Sequence, residues 1–574
     1  MNRKQTILCI VLVILFLGFL SLAIFAERLG LDNNPGWGKG RYLLLGFAGS
    51  CLLLVVLNIW GGKIEAAINS RILHSRKRKL PLWVQRFLNP PLFMTLTLSF
   101  ALILLASFSY FWFSTRGLLG NIPKGSRYYP MLADAFRSGK LYLNVKPSAE
   151  LQNLENPYDS QQYLTVESLH DASLFKGRYY LYWGPVPALL TALLPASLVI
   201  SDTHLTLFFG ACLALIGGSF LLFVWRRFFP LISWWAVLPG LLILLWGTPL
   251  PFAFFGSGIY ETAIISGQFF LILGLLFLFI GLSDDKPRFG FLLVTGVCWA
   301  MAAGSRAALT PAILVLTSSA FWRAWKISNS NRSIFWYCVV LLGLPLAIGA
   351  AGLAWYNFAR FGSIFETGMC YQLSVTDMRQ VCSHIFSSSY IPANTFIYLL
   401  RPPAINSSFP FVFFEWIKES DFPFFIHLQP FYYFSEPVVG IIFCLPFSLF
   451  FAGVTALQIR KSHFKSPSIV KYWTGAILLA TLLEFIFLLF FFAPIQRYIL
   501  DFSILLTLSA VLGFWMLIQS LNKRPLLLII LWVIAFLLLF WTLGVGVFSG
   551  ISGTSRKFYE TNPALFNLLK SWFS

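Results

Sequence analysis

Residues 526–548 read LLLIILWVIAFLLLFWTLGVGVF, a stretch without a single charged side chain. As a helix rising about 1.5 Å per residue it is long enough to cross the roughly 30 Å hydrocarbon core of a bilayer. A second run of this kind, TILCIVLVILFLGFLSLAIFA, occupies residues 6–26, and others recur from end to end. Inside hydrocarbon the backbone must satisfy its own hydrogen bonds, so these runs are predicted to be helices. Composition agrees: 58% hydrophobic residues, 11% charged residues and a mean hydropathy of +0.75 lie outside the soluble globular class. The fold class is therefore an all-α polytopic membrane protein with about 12 to 14 transmembrane helices. The first run follows MNRK and is expected to remain as an uncleaved span.

A formal charge of +20 would suggest nucleic acid in a soluble chain, but here much of it lies in short loops such as RILHSRKRKLPLWVQR at 71–86. Such loops mark the cytoplasmic side of a membrane protein and sit against anionic lipid, and no nucleic-acid partner is expected. With 71–86 inside, the span after it delivers residues 115–181 to the outer face. WRAWKISNSNR at 322–332, IRKSHFK at 459–465 and NKRP at 522–525 are also placed inside, which brings 356–435 to the same outer face as 115–181. WRRFF at 225–229 and DDKPR at 284–288 both go inside only if GPVPALLTALLPASLVI at 184–200 does not cross. The expected organisation is an N-terminal hairpin at 1–60, a basic cytoplasmic loop at 61–92, a core at 93–520 and a C-terminal helix and tail at 521–574.

The eight cysteines are scattered without metal-ligand spacing and read as small buried apolar residues. No Walker motif, dinucleotide fingerprint or HExxH pair is present, so the usual signatures of ATP-driven pumping, nicotinamide chemistry and zinc proteolysis are missing. No internal repeat is evident.

The polar residues concentrate in the two outer loops and at span ends. In YYPMLADAFRSG at 128–139, Pro130 suits the start and Gly139 the end of a short amphipathic helix carrying Asp134 and Arg137. NPYD at 156–159 is a turn-forming stretch that would hold Asp159. SLHDASLFKGRYYLYWGP at 168–185 carries His170, Asp171 and Arg178. A carboxylate near a bilayer surface can accept the proton of a sugar hydroxyl attacking an activated carbon, and Asp134, Asp159 and Asp171 are the candidates in that order. Adjacent residues on a helix do not face each other, which argues against His170 working with Asp171. Charges within spans are costly and therefore informative. Arg306 interrupts AAGSRAALTP at 302–311, Glu261 follows FFGSGIY at a span entrance, and Glu484 lies within LLEFIFLLFFF, where it is expected to pair across the bundle. In APIQRYILDFSILLTLSA at 493–510, Arg497 and Asp501 are four apart and expected on one helical face, an arrangement suited to a phosphate clamp oriented by a carboxylate.

RYYPMLADAFRSGKLYL at 127–143, GRYYLYWGPVPALLTALLPA at 177–196, GSRAALTP at 304–311, WYNFARFGSIFETG at 355–368 and APIQRYILDFSILL at 493–506 together resemble the GT-C superfamily of polytopic glycosyltransferases. The resemblance covers about 93–520 and is nearest to bacterial membrane proteins at the edge of that superfamily. It implies a GT-C-like bundle with two long outer loops, in a bacterial plasma membrane. It also implies a polyprenyl-phosphate-linked sugar as donor, an outer-face glycan, lipid or protein as acceptor, and inversion at the transferred carbon. One outer carboxylate would serve as base, with Arg306 and Arg497 on the carrier phosphate. Arg127, His170, Arg178, Glu261, Asn357, Arg360, Tyr498 and Asp501 would support them, and the aromatic segment 353–435 would close over the acceptor. No cofactor is implied with certainty; a divalent cation on the phosphate stays open. The sequence departs from the superfamily where an acidic residue usually stands just ahead of the tyrosines: here Ser126 and Arg127 precede Tyr128, and the first carboxylate is Asp134. A flippase or transporter of lipid-linked saccharide and a non-catalytic scaffold of envelope assembly are the competing readings.

Overall fold

The computed structural model describes residues 3–27, 29, 31, 37–38, 40–42, 44–56, 90–119, 125–328, 332–426, 433–460, 468–553 and 557–573. The basic stretches 71–86 and 461–465 lie outside the described residues. The chain is an all-helical, multi-pass membrane protein. Among the described residues nine helices are long and apolar enough to cross, and four shorter apolar ones, including Gly40–Val56 and Phe289–Ser305, accompany them. A reading of 12 to 14 spans counts these shorter helices as crossings; length and composition alone support nine.

The elements that build the site are, in chain order, α1 (Pro90–Ser114), α2 (Tyr128–Arg137), α3 (Val186–Ala192), α4 (Asp202–Phe228), α5 (Leu250–Phe255), α6 (Ile259–Leu282), α7 (Phe289–Ser305), α8 (Thr310–Ser328), α9 (Arg332–Phe361), α10 (Ser468–Leu489), α11 (Ile499–Leu521), α12 (Pro525–Ser552) and α13 (Lys557–Thr561). α6 and α11 are buried along most of their length, whereas α9 and α12 are largely exposed and face the lipid. A helix buried on all sides must be apolar on all sides, which is why neither α6 nor α11 shows a polar stripe.

The segment 184–200 does not cross. Its helix α3 has only seven residues, about 10 Å of rise, a third of what a crossing needs. It is held at the loop end of the bundle by Arg137, which donates to the carbonyls of Thr191, Ala192 and Leu194 at 2.8, 3.1 and 2.7 Å. These are carbonyls that a helix C-terminus leaves without intrahelical partners. Gly184 makes the neighbouring contact: a Cβ there would lie 2.1 Å from the Gly304 carbonyl oxygen, so only glycine lets this loop lie on the last turn of α7.

The two long loops fold onto each other. A two-stranded hairpin, β1 (Ser173–Phe175) and β2 (Arg178–Tyr180), turns through Lys176 and Gly177, both at positive φ, the geometry of a type I′ turn. Beside it, Asp171 N–H donates to Leu373 O at 2.7 Å and Leu373 N–H donates to Ala172 O at 2.9 Å. Cys370 and Cys382 form a disulfide in this second loop, a correction to the reading of all eight cysteines as isolated apolar residues. Their spacing gave no sign of it, because the segment between them folds back through short 3-10 and α turns. Of the other six, five are buried.

A polar clamp joins the loops further out. Asn156 Nδ2 donates to Asp377 at 3.2 Å, Arg379 donates to Asp377 at 2.8 Å and to Asn156 Oδ1 at 2.6 Å, and the guanidinium stacks 4.1 Å from the Tyr158 ring. The Arg379 hydrogen bonds hold the Asp377 carboxyl below the usual carboxylate range, with Asn156 adding to the effect. A depressed carboxyl stabilises the fold above its unfolded pKa and stops doing so as pH falls through its folded value, so the clamp is expected to loosen only below about pH 4. Hydrogen exchange of residues 369–384 should accelerate on acidification in the wild type, and D377N should already show the faster exchange at neutral pH with no further step.

Candidate functional site

A cavity of about 480 Å³ opens where the two loops meet the ends of α5, α6 and α11. Its wall includes His170, Asp171, Tyr260, Glu261, Glu436 and Arg497. Asp171 adopts φ 64°, a left-handed conformation uncommon outside glycine though least so for Asn and Asp. That twist, in a turn and not a helix, lets His170 and Asp171 both line the cavity, with His170 Nε2 3.8 Å from Asp171 Oδ2. The expectation that neighbours in sequence would point apart assumed a helix and is corrected here. Tyr260 donates to Asp171 Oδ2 at 2.5 Å, and Gln372 donates to Oδ1 at 2.8 Å, so the carboxylate is oriented from a span and from the second loop at once. His170 is fixed through Nδ1 by the Tyr163 hydroxyl at 2.8 Å, and the Tyr128 hydroxyl donates to the His170 carbonyl.

Arg497 and Asp501 do not pair with each other. Arg497 makes a two-pronged contact with Glu436 at 2.9 and 3.1 Å and lies 3.9 Å from Glu261, while Asp501 binds Arg306 at 2.7 and 3.2 Å. The cause is local. Residues Gln496–Tyr498 form a 3-10 turn ahead of α11, advancing about 120° per residue instead of 100°, so the four-residue spacing no longer defines one face. Tyr498 sits between the two arginines, its ring 4.7 Å from the Arg306 guanidinium and 5.9 Å from that of Arg497. Arg306 follows the last residue of α7 in an extended conformation, and Gly267 of α6 makes room for it: a Cβ there would lie 2.8 Å from Arg306 Cβ.

Glu484 departs from the expected pairing. It is fully buried, and among the described residues neither carboxyl oxygen has a hydrogen-bond partner of normal geometry; the group it faces is the Ala312 amide in the first turn of α8. Asp501 has already taken Arg306, the cation Glu484 would need.

The remaining predicted residues lie outside the cavity wall. Asp134 is half exposed and binds Arg137 at 2.6 Å, which fixes the arginine that holds α3. Asp159 caps a four-residue helix by accepting from the Gln161 amide at 3.0 Å, and also accepts from Gln162 Nε2. Arg127 is exposed and reaches the Ile200 carbonyl, and Arg178 stacks 4.3 Å from the Tyr142 ring. Asn357 and Arg360 close the end of α9: Arg360 donates to Leu181 O at 2.5 Å and to Asn357 Oδ1 at 2.8 Å, tying this span to the first loop. Asp202 is the structural anchor that the sequence reading missed. Its carboxylate accepts from Ser126 Oγ at 2.6 Å and from the amides of Tyr128 and Tyr129 at 2.9 and 3.0 Å, capping α2 from the start of α4. No local motif reveals a cap supplied from more than 70 residues away.

For a divalent cation the described residues bring together one close group, Glu366, Cys370 and Cys382, whose ligand atoms lie within 4.8 Å of one another. With the two sulfurs bonded to each other neither is a thiolate, so this group could ligate a metal only after reduction. The cavity carboxylates do not form such a group.

The chain matches no protein-family model, no curated protein and no solved structure. What the site can do rests on its own chemistry: an oriented carboxylate with a histidine beside it, in a water-accessible cavity at the end of a membrane bundle, next to an arginine whose charge is met by two glutamates.

Proposed function

We propose that this protein transfers a sugar from a polyprenyl-phosphate carrier to an acceptor hydroxyl at the outer face of a bacterial plasma membrane, with inversion. The observation that carries the reading is Asp171, held from two sides at the wall of a cavity where both loops and the span ends converge. The acceptor hydroxyl attacks the anomeric carbon from the side opposite the carrier phosphate. As the new C–O bond forms, the bond from that carbon to the phosphate oxygen breaks, the hydroxyl proton passes to Asp171, and the carrier leaves as its phosphate. Asp171 replaces Asp134 and Asp159 as the proposed base because those two are engaged in local structure away from the cavity. Arg497, 4.3 Å from the Tyr260 ring, positions the tyrosine that orients Asp171.

An apolar groove between α8 and α10, about 820 Å³, supports a lipid-borne donor. It runs from Ala307, next to Arg306, to Trp322, some 22 Å along α8, a length suited to an extended isoprenoid tail. The test is incubation of purified protein in detergent with labelled polyprenyl-phosphate sugars and a lipid extract as acceptor. Release of free carrier phosphate with label in a new product is expected. Movement of intact carrier across proteoliposomes without cleavage would instead make the protein a flippase.

A further inference from the structure

The second loop reaches the cavity region as two strips with separate supports. Residues 369–373 lie on the first loop: Gln372 donates to Asp171 Oδ1 at 2.8 Å, and the amides of Asp171 and Leu373 donate to the carbonyls of Leu373 and Ala172 at 2.7 and 2.9 Å. Residues 378–385 lie instead on the chain that leads into Arg497. Met378, Val381 and Ile385 share a small apolar cluster with Phe492, Ala493 and Ile495, and the Phe492 amide donates to the Ile385 carbonyl at 3.0 Å. The Asp377–Arg379 clamp ties the start of this second strip to Asn156, not to the turn that carries Asp171. Between the strips run Ser374, Val375 and Thr376, none of them buried and Val375 65% exposed.

The Cys370–Cys382 disulfide joins the two strips, with Cys370 in the 3-10 turn Met369–Tyr371 and Cys382 opening the next one, Cys382–His384. Both cysteines are half-buried, so the bond is within reach of a reagent in solution. A cross-link removes conformations that the open segment would otherwise visit, and it matters most for a part that few other contacts hold. The first strip is such a part: it meets the Asp171 turn through these hydrogen bonds and a short bridge between Ser173 and Gln372, whereas the second has an apolar cluster beneath it. Disulfides persist in oxidising surroundings and open by exchange with thiols where a sulfur is accessible.

We propose that Cys370–Cys382 is a redox-sensitive latch: closed, it holds Gln372 against Asp171, and opened by a dithiol reductant it releases the first strip and lowers turnover. The effect on turnover rests on the proposed transfer; the latch itself does not. In opening, a thiolate of the dithiol attacks one of the two sulfurs and the Cys370–Cys382 bond breaks, leaving a mixed disulfide that the dithiol's second sulfur then resolves. Two electrons pass to the protein, the dithiol becomes a disulfide, and its two protons end on Cys370 and Cys382. Asp171 keeps its bond from Tyr260 but loses the one from Gln372, so the carboxylate remains at the cavity without a fixed orientation. Gln372 and the two cysteines are in this sense positioning residues, acting through Asp171.

The latch is tested by hydrogen exchange on the detergent-purified full chain, first oxidised, then reduced with dithiothreitol in the presence of a chelator, then reoxidised with oxidised glutathione. The chelator keeps a metal ion from bridging Glu366 and the two freed sulfurs. Peptides covering 171–173 and 369–376 are expected to exchange about tenfold faster after reduction and to recover on reoxidation, while 381–385 changes little. C370S/C382S should match the reduced wild type in either buffer. Reduction should lower kcat about tenfold with KM within about twofold, and Q372L should start at that lower kcat and lose little more on reduction. A peptide map of the oxidised protein without the 370–382 cross-link, or unchanged exchange at 171–173 and 369–376 after complete reduction, overturns the latch. Faster exchange with unchanged kcat overturns its control of Asp171. Absence of turnover in the oxidised protein as well is a failure of the transfer reading, and the exchange measurement still decides the latch.

Discussion

Turnover by D171N is expected to fall about 10²-fold or more while carrier binding and monodispersity in detergent persist, since a positioned general base contributes at least that much. Asparagine keeps the size of the side chain; its Oδ1 can accept from Gln372 while its Nδ2 donates to the Tyr260 hydroxyl oxygen, so the groups that now donate to Asp171 at 2.8 and 2.5 Å are not left unpaired. What it loses is the capacity to take the acceptor's proton. Y260F should give a smaller loss in kcat with little change in KM, because the carboxylate would remain but lose one of its two orienting bonds. D134N and D159N should turn over near the wild-type rate: the first sits on an exposed helix face and the second can still cap its helix as asparagine. Normal turnover in D171N would remove the proposed base and with it the assigned mechanism.

A second large effect is expected in stability. Arg306 and Asp501 form a contact in which the carboxylate is fully buried and the guanidinium nearly so. Removing one partner leaves the other charged and unpaired in a low-dielectric interior, which costs about 3 to 5 kcal/mol. R306A and D501A should both lower the thermal unfolding midpoint of the detergent-solubilised protein strongly. The paired replacement R306M/D501L should recover most of the loss, because an apolar pair of similar volume needs no compensation. Near-wild-type stability in R306A would mean that Asp501 finds another partner or is protonated beside Glu484.

Arg306, Asp501 and Arg497 also mark where reading the sequence stops. That each of them is consequential follows from the sequence alone, because an ionisable group in an apolar run must have a reason to be there. Which group meets which does not follow. Glu436 and Glu261 reach Arg497 from other parts of the chain, and a single 3-10 turn is enough to undo the pairing that the i,i+4 spacing suggests. The same limit explains Asp202, whose role as a cap on α2 depends on a contact across more than 70 residues, and Asp171, whose orientation depends on a positive φ and on Tyr260 and Gln372.

By itself the sequence determined the solvent the protein lives in, the helical class and the two loops in which polar chemistry could gather. These follow from local quantities: the apolar length needed to cross hydrocarbon, and the cost of a charge within it. Only the tertiary structure decided that 184–200 stays at the loop end of the bundle, that Cys370 and Cys382 are joined, and that Asp171, not Asp134, faces the cavity. Each of those outcomes depends on which distant segment supplies the partner, and helix packing and loop closure choose that partner through contacts that no local pattern of residues encodes.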